Sequence, residues 1–501
     1  MRIAFVAPEC DPIIKVGGLA DVVGSLPRAL QKRGHDVEVY IPRLGSIAAK
    51  HLAGASRRGT VTIEQPPLPG SATLDTVVSR GVPVHLIGCP ELFEREPEPY
   101  GDYNDNPARF AFFSLACLAA MARDGETPDI IHLHDWPTGL LPIYRSLRYK
   151  HTPLGRAGIL FTIHNIAHAG AFQPGWFPTL GLPRWLYENE QLEFHGYASM
   201  LKAGLLWSTL VGTVSPTYAR EIQTSALGCR LDGVLRKRSS DLAGVLNGID
   251  TEIWDPARKE SDTKNEATLG EWPVFDINNM GGKATHKRQL QQLLKLNEDA
   301  DAPIFGFVGR LDPQKGINAI FQVLYSFLAN GAQLAVVGDG ADLYRDGLKA
   351  LARAFPGRAG GALEFNPLLA KRVYAGSDFF LMPSKYEPCG LAQMISCRYG
   401  TIPIVAWTGG LADTIHDADG FADGNGFTFG TPSTMDDAAW LPAAAAGLSH
   451  AIERALLAYS NRERFINIRR RAMQSNFSWD RSAEVYENVY AEAARRERGR
   501  G

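Results

Sequence analysis

Three charged side chains stand where they could do chemistry on a ligand carrying both phosphates and hydroxyls: Arg310, Lys315 and Glu387. In "GFVGRLDPQKG" (306–316), Arg310 and Lys315 flank a proline-stiffened turn at the end of an apolar run. A guanidinium forks two oxygens and an ammonium acts as a point charge, so the pair suits a diphosphate. In "FFLMPSKYEPCGLAQ" (379–393), a second apolar run stops at Pro383, and Glu387 sits in a turn with Pro388, Cys389 and Gly390. Pro388 fixes φ, Gly390 permits close approach, and the segment from Leu391 reads as a helix whose first amides face the turn. A carboxylate there would accept hydrogen bonds from sugar hydroxyls while the cations and amides hold a diphosphate. "WTGGLADTI" (407–415), with Gly409 and Gly410, repeats the arrangement one strand later. Cys389 reads as a small turn residue and not a nucleophile, because no base is evident beside it. The competing reading of each stretch is an ordinary turn with surface charges.

The first half offers weaker candidates. "KVGGLADVVG" (15–24) follows the first apolar run and holds Lys15, Gly17, Gly18 and Asp21. It lacks G-x-G-x-x-G spacing, which disfavours a dinucleotide site and hence a dehydrogenase. Its glycines still allow close backbone approach to a ligand, and the following helix start suits an anion. A tight strand–helix turn with a surface lysine explains it equally well. "HLHDWPTG" (132–139) and "TIHNIAHAG" (162–170) place His132, His134, Asp135, His164 and His168 at the ends of apolar runs. Polar groups at the carboxyl ends of parallel strands are the favoured reading, with satisfied structural histidines as the alternative and a metal cluster as the outsider. Asp299/Asp301 and Asp417/Asp419 have metal-binding spacing but lie in polar turns, so no metal and no cofactor are expected.

These residues need rigid elements to hold them. The recurring rhythm is a short apolar run, a glycine-bearing turn and an amphipathic segment: "RIAFVAP", "PDIIHLH", "AGILFTIHN", "APIFGFVGRL", "AQLAVVG", "ALEFN", "DFFLMPS" and "TIPIVAW". Runs apolar nearly throughout are parallel strands covered on both faces, and their alternation with helices predicts a doubly wound α/β fold. At 501 residues the chain exceeds one ordinary core. The rhythm breaks between Val245 and Pro303, which places a crossing near residue 250 and gives two Rossmann-like domains, 1–250 and 251–475. Residues 476–501 read as a terminal helix that packs back on the first domain and ends in a frayed basic tail. A net charge of -2 gives no footprint for nucleic acid or anionic lipid. The opening "MRIAFVAPEC" is a short strand and not a secretory segment, and no window suits a spanning helix. Six cysteines without a CxxC pair suggest neither a disulfide framework nor zinc. A soluble, reduced, cytoplasmic protein is the expectation.

In order along nearly the whole chain, "KVGGLADVVG", "DNPARFAFFSLA", "HLHDWPTG", "TIHNIAHAG", "LDGVL", "NGIDTEIWDP", "GRLDPQKG", "PSKYEPCGLAQ" and "TGGLADTI" resemble motifs of the bacterial glycogen synthase and plant starch synthase family. The resemblance implies a retaining glucosyltransferase of the GT-B fold, with two Rossmann-like domains facing across a deep cleft. It implies an acceptor-side first domain and a nucleotide-sugar-binding second domain. It further implies ADP-glucose as donor and an α-1,4-glucan (glycogen) as acceptor, with no nucleic-acid or membrane partner. Lys15 and the loop of Gly17 and Gly18 match a donor contact, and Asp21 lies near the glucose. His164 matches a strand-end histidine beside the anomeric carbon. Arg310 and Lys315 match the pair on the departing diphosphate, and Glu387 the glutamate on the glucosyl hydroxyls. Cys389, Gly390, Leu391, Gly409 and Gly410 match positions that supply backbone donors. Trp407 stands where an arginine is common, Arg230 replaces a common glycine, and His168 departs from a usual tyrosine; these bear on acceptor and donor preference. The rivals are a UDP-glucose-dependent GT-B enzyme and a non-catalytic glucan-binding paralogue.

Overall fold

The computed structural model describes residues 1–95, 98–123, 127–261, 265, 269–364 and 366–499. Met1–Gly248 and Ser478–Gly501 form one unit, and Ile249–Phe477 forms the other. No described helix is long and apolar enough to cross a membrane.

The first unit holds β1 (Arg2–Val6), β2 (Asp36–Pro42), β3 (Ser56–Thr62), β4 (Ser71–Ser79), β5 (Val82–Gly88), β6 (Ile130–His134), β7 (Gly158–Ile163), β8 (Ala171–Phe172), β9 (Glu193–Phe194), β10 (Tyr197–Ser199), β11 (Leu210–Thr213) and β12 (Leu242–Gly244). Its main sheet runs β12-β11-β7-β6-β1-β2-β5-β4-β3. From β12 to β5 every pair is parallel. β6 and β7 are buried along their whole length, which is why their sequences are apolar throughout. Chain order runs one way from β1 through β2 to β5 and the other way from β6 through β7 to β12. The switch point therefore lies between β1 and β6, where open sheets of this kind hold ligands.

One edge departs from the expected parallel sheet: β4 pairs antiparallel with both β3 and β5. Its burial alternates in part, as in an antiparallel strand with one wetter face, so it has no continuous apolar run to announce it. The terminal helix Trp479–Arg498 completes this unit against β7. A Cβ on Gly158 would come within 2.8 Å of the Ala493 backbone, so the strand and helix touch directly there. Glu497, expected in a frayed tail, instead accepts from Thr209 Oγ1 at 2.6 Å, and Arg145 lies 3.5 Å away. Residues 500–501 of that tail lie outside the described residues.

The second unit is a single parallel sheet of β13 (Ile304–Val308), β14 (Gln333–Val337), β15 (Ala359–Ala362), β16 (Phe379–Met382), β17 (Ile402–Ala406) and β18 (Phe427–Phe429). Its order is β15-β14-β13-β16-β17-β18. Its apolar core joins Leu324, Val336, Phe379, Ile404, Trp440 and Ile452. β15 ends where the expected strand "ALEFN" begins; Phe365 within that run lies outside the described residues, as do 262–264 and 266–268 of the polar stretch near the crossing. Here the switch point falls between β13 and β16.

Candidate active site

The loops after β13 and β16 meet at that switch point. Asp312 Oδ1 accepts from the Lys315 amide at 2.9 Å and caps the short turn Pro313–Lys315. Gly316 then takes a left-handed φ of 73°, and a Cβ there would sit 1.9 Å from the Pro383 carbonyl oxygen. Only a residue without a side chain permits that approach. Gln314 ties the two loops further: its carbonyl accepts from the Lys385 amide at 2.8 Å. The result is that Lys315 Nζ lies 2.6 Å from Glu387 Oε2, across 72 residues of sequence. Ser384 Oγ donates to the same carboxylate oxygen at 3.0 Å. Arg310 is not drawn into this contact. It is exposed and held by Gln314 Oε1 at 3.0 Å and Asp312 at 3.4 Å.

The second glycine loop packs on the Glu387 turn. A Cβ on Gly409 would lie 1.9 Å from the Glu387 carbonyl oxygen, and one on Gly410 would lie 2.2 Å from that of Cys389. The Gly410 amide, expected as a donor to ligand, donates within the protein to the Glu387 and Pro388 carbonyls at 3.1 and 3.2 Å. Cys389 is buried, Gly390 adopts φ 73°, and the helix after Leu391 spans Ala392–Arg398. Trp407 is 63% exposed beside this loop. Arg230, where a glycine is common, keeps a left-handed φ of 67°. Asp417 is ion-paired with Arg454 at 2.9 Å.

In the first unit, the loop after β1 is organised by Glu9, a residue the sequence reading did not single out. Its fully buried carboxylate accepts from the Val16 and Gly17 amides at 2.5 and 3.2 Å and from Tyr100 Oη at 2.6 Å. The Gly17 amide is thus committed to Glu9 and not to a ligand. Burial raises the Glu9 carboxyl above its ordinary range, although the three donors oppose this. Lys15 Nζ contacts Asp21 Oδ1 at 2.5 Å, and Asp21 sits in the first turn of helix Gly18–Lys32. Burial raises Asp21 as well, with Lys15 acting against it. A glutamate just past an apolar strand, ahead of a glycine loop, is the only sequence signal that pointed to Glu9.

β6 and β7 end side by side. Asp135, at φ 56° and ψ -178°, turns its Oδ1 to accept from the His164 amide at 2.7 Å and the Asn165 amide at 3.4 Å. Desolvation lifts its carboxyl to about 7 despite those bonds. His164 Nε2 lies 2.9 Å from His134 Nδ1. His132 is structural: its ring nitrogens meet Tyr490 Oη at 2.9 Å and Thr162 Oγ1 at 2.7 Å. His168 is exposed.

Residues 2–237 match the family model described as starch synthase catalytic domain, and 290–470 match glycosyl transferases group 1. A glycogen synthase of Pseudothermotoga lettingae is 39% identical over 505 residues, covering 99% of both chains. The chain belongs to the glycogen and starch synthase family. It is accordingly a retaining glucosyltransferase of the GT-B fold. A family member from Anaeromyxobacter dehalogenans, named glycogen synthase, is 42% identical over 98% of this chain and 99% of its own. Among solved structures, the catalytic domain of starch synthase IV from Arabidopsis thaliana, bound to ADP and acarbose, superposes with a TM-score of 0.87. It is 31% identical, over 98% of this chain and 99% of that one.

Proposed function

We propose that the protein transfers a glucosyl unit from ADP-glucose to the non-reducing 4-hydroxyl of an α-1,4-glucan, with the anomeric configuration retained. The observation that carries this reading is the Lys315–Glu387 contact at the switch point of the second unit. A cation and an acid held 2.6 Å apart offer adjacent positions for a phosphate and for the hydroxyls of the sugar attached to it. The bound ADP named for the Arabidopsis starch synthase supports adenosine diphosphate as leaving group.

In this reading the second unit, Ile249–Phe477, binds the nucleotide sugar and the first, Met1–Gly248 with Ser478–Gly501, is the acceptor side. As the bond from the anomeric carbon to the diphosphate oxygen breaks, negative charge grows on the phosphate. Lys315 and Arg310 stabilise that charge more in the transition state than before it, which lowers the barrier. Arg310, exposed on its loop, is free to swing onto the diphosphate by exchanging its Gln314 bond. Glu387 orients the glucosyl hydroxyls. Cys389, Gly390, Leu391 and Gly409 shape the turn against which the donor rests. Lys15 and Asp21, held by the loop of Gly17 and Gly18, form a donor contact, and His164 faces the sugar. No second carboxylate is assigned as nucleophile, so the acceptor oxygen attacks on the face from which the diphosphate leaves and gives its proton to the departing diphosphate oxygen, in contrast to double-displacement hydrolases.

The test is radiolabelled transfer to glycogen from ADP-glucose and from UDP-glucose, with wild type and Glu387→Ala side by side. Efficient ADP-glucose transfer that Glu387→Ala abolishes is expected. Preference for UDP-glucose overturns the donor assignment, and full activity of the variant overturns the role of Glu387.

A further inference from the structure

We infer that His134 is a positioning residue that holds His164 in its Nδ1-protonated tautomer, so that His164 offers a ligand a hydrogen-bond donor and not a base. The inference rests on the reading above that His164 faces the donor sugar.

The argument is one of proton counting. A neutral imidazole has one N–H and one bare nitrogen, and which is which follows from its partners. Between His134 Nδ1 and His164 Nε2, 2.9 Å apart, one nitrogen must donate and the other accept. The other nitrogen of His134, Nε2, is fully buried and has no hydrogen-bond partner among the described residues. It lies in a ring clustered with two aromatic neighbours: Phe5 stacks at 5.5 Å between centroids and His132 lies at 4.1 Å. His132 cannot serve it, because both its nitrogens are bound to Tyr490 and Thr162.

Two assignments remain. If His164 donated, the His134 proton would sit on Nε2, as a buried N–H with no acceptor. If His134 donates, Nε2 is left as a bare lone pair. Orphaned buried donors are rarer in folded proteins than under-satisfied acceptors, so the second assignment wins. His134 is then protonated at Nδ1, and His164 accepts at Nε2 and carries its own proton on Nδ1, the nitrogen that makes no bond within the described residues. Neither ring gains a second proton near neutrality, since burial depresses both. The backbone fixes the ring as well, through the Asp135 bond to the His164 amide at 2.7 Å.

Full-length protein with ¹⁵N in its histidine rings tests this without substrate, with His134→Asn and His164→Asn assigning the signals. The expected spectrum at neutral pH shows Nδ1 protonated and Nε2 bare in both rings. A protonated Nε2 on His164 overturns the inference. A second arm is kinetic. His134→Asn keeps an amide donor near the Nδ1 position, whereas His134→Leu keeps bulk without a donor. We expect His134→Asn to stay within about threefold of wild-type kcat/KM and His134→Leu to lose about tenfold, the rate equivalent of one orienting hydrogen bond. Equal losses in the two variants overturn the inference, because packing would then be all that the ring supplies. Should His134→Leu fail to fold, the spectrum of the unaltered protein decides alone. A wrong donor, or a wrong role for His164, leaves the ligand-free spectrum unchanged, so the two failures are distinguishable.

Discussion

Replacing Lys315 by methionine separates two tasks that one ammonium performs. In the free protein it neutralises Glu387, whose side chain is only 7% exposed, at 2.6 Å. In the proposed reaction it stabilises the leaving diphosphate. Removing one partner of a buried ion pair costs about 3–5 kcal/mol. Lys315 is 23% exposed and Ser384 still serves the carboxylate, so the loss of stability here is set lower, at about 1–3 kcal/mol. Removing one preorganised donor from a developing anion costs about 10²–10³ in kcat, or about 2.7–4 kcal/mol. Lys315→Met should therefore lower kcat at least about a hundredfold and weaken ADP by about tenfold or more. Adding Glu387→Gln removes the uncompensated charge, so stability should return to within about 1 kcal/mol of wild type while kcat stays low. Urea unfolding, calorimetric ADP titration and radiolabelled transfer, run on the two single variants and the double, read all three quantities. If Lys315→Met costs less than about threefold in kcat in the Glu387→Gln background, Lys315 does no more than neutralise the acid, and the diphosphate assignment is wrong.

Gly316→Ala should lower stability by about 1–3 kcal/mol and impair ADP binding, because φ 73° and a Cβ 1.9 Å from the Pro383 oxygen force the two loops apart; unchanged ADP affinity would show that the loops need not touch. Glu9→Ala leaves the Val16 and Gly17 amides and Tyr100 without their shared acceptor, so a loss of about 2–3 kcal/mol in urea unfolding and a raised donor KM are expected, with Glu9→Gln milder. Acid should destabilise the first unit through its histidines. Burial depresses His132 and His134 well below 6.5 in the fold, so the unfolded chain takes up protons first as pH falls. The stabilisation is complete above about pH 6.5 and is lost progressively below it, by up to about 1.4 kcal/mol per pH unit per ring. His134→Asn should flatten the slope of unfolding free energy between about pH 6.5 and 4.5, and an unchanged slope would mean the ring is already charged in the folded state.

Much of this architecture is written locally. β6, β7, β13 and β16 are short apolar runs because both faces of a parallel strand are covered, and the loops after β13 and β16 carry proline and glycine because those turns demand fixed or left-handed φ. Asp312 capping Lys315, with Gly316 following, is legible in the sequence for the same reason: every interaction spans a few residues. The antiparallel strand β4 was not legible, since its partly alternating burial leaves no uninterrupted apolar run.

Sequence alone thus determined the fold class, the family resemblance and which residue types could handle a phosphate and a sugar. Only tertiary structure decided their partners. It brought Lys315 against Glu387, gave the Gly17 and Gly410 amides to Glu9 and Glu387 and left Arg310 outside the pair. The physical reason is range. Backbone sterics and capping act over a few residues, whereas a contact across 72 residues exists only once strand order places two loops at one switch point.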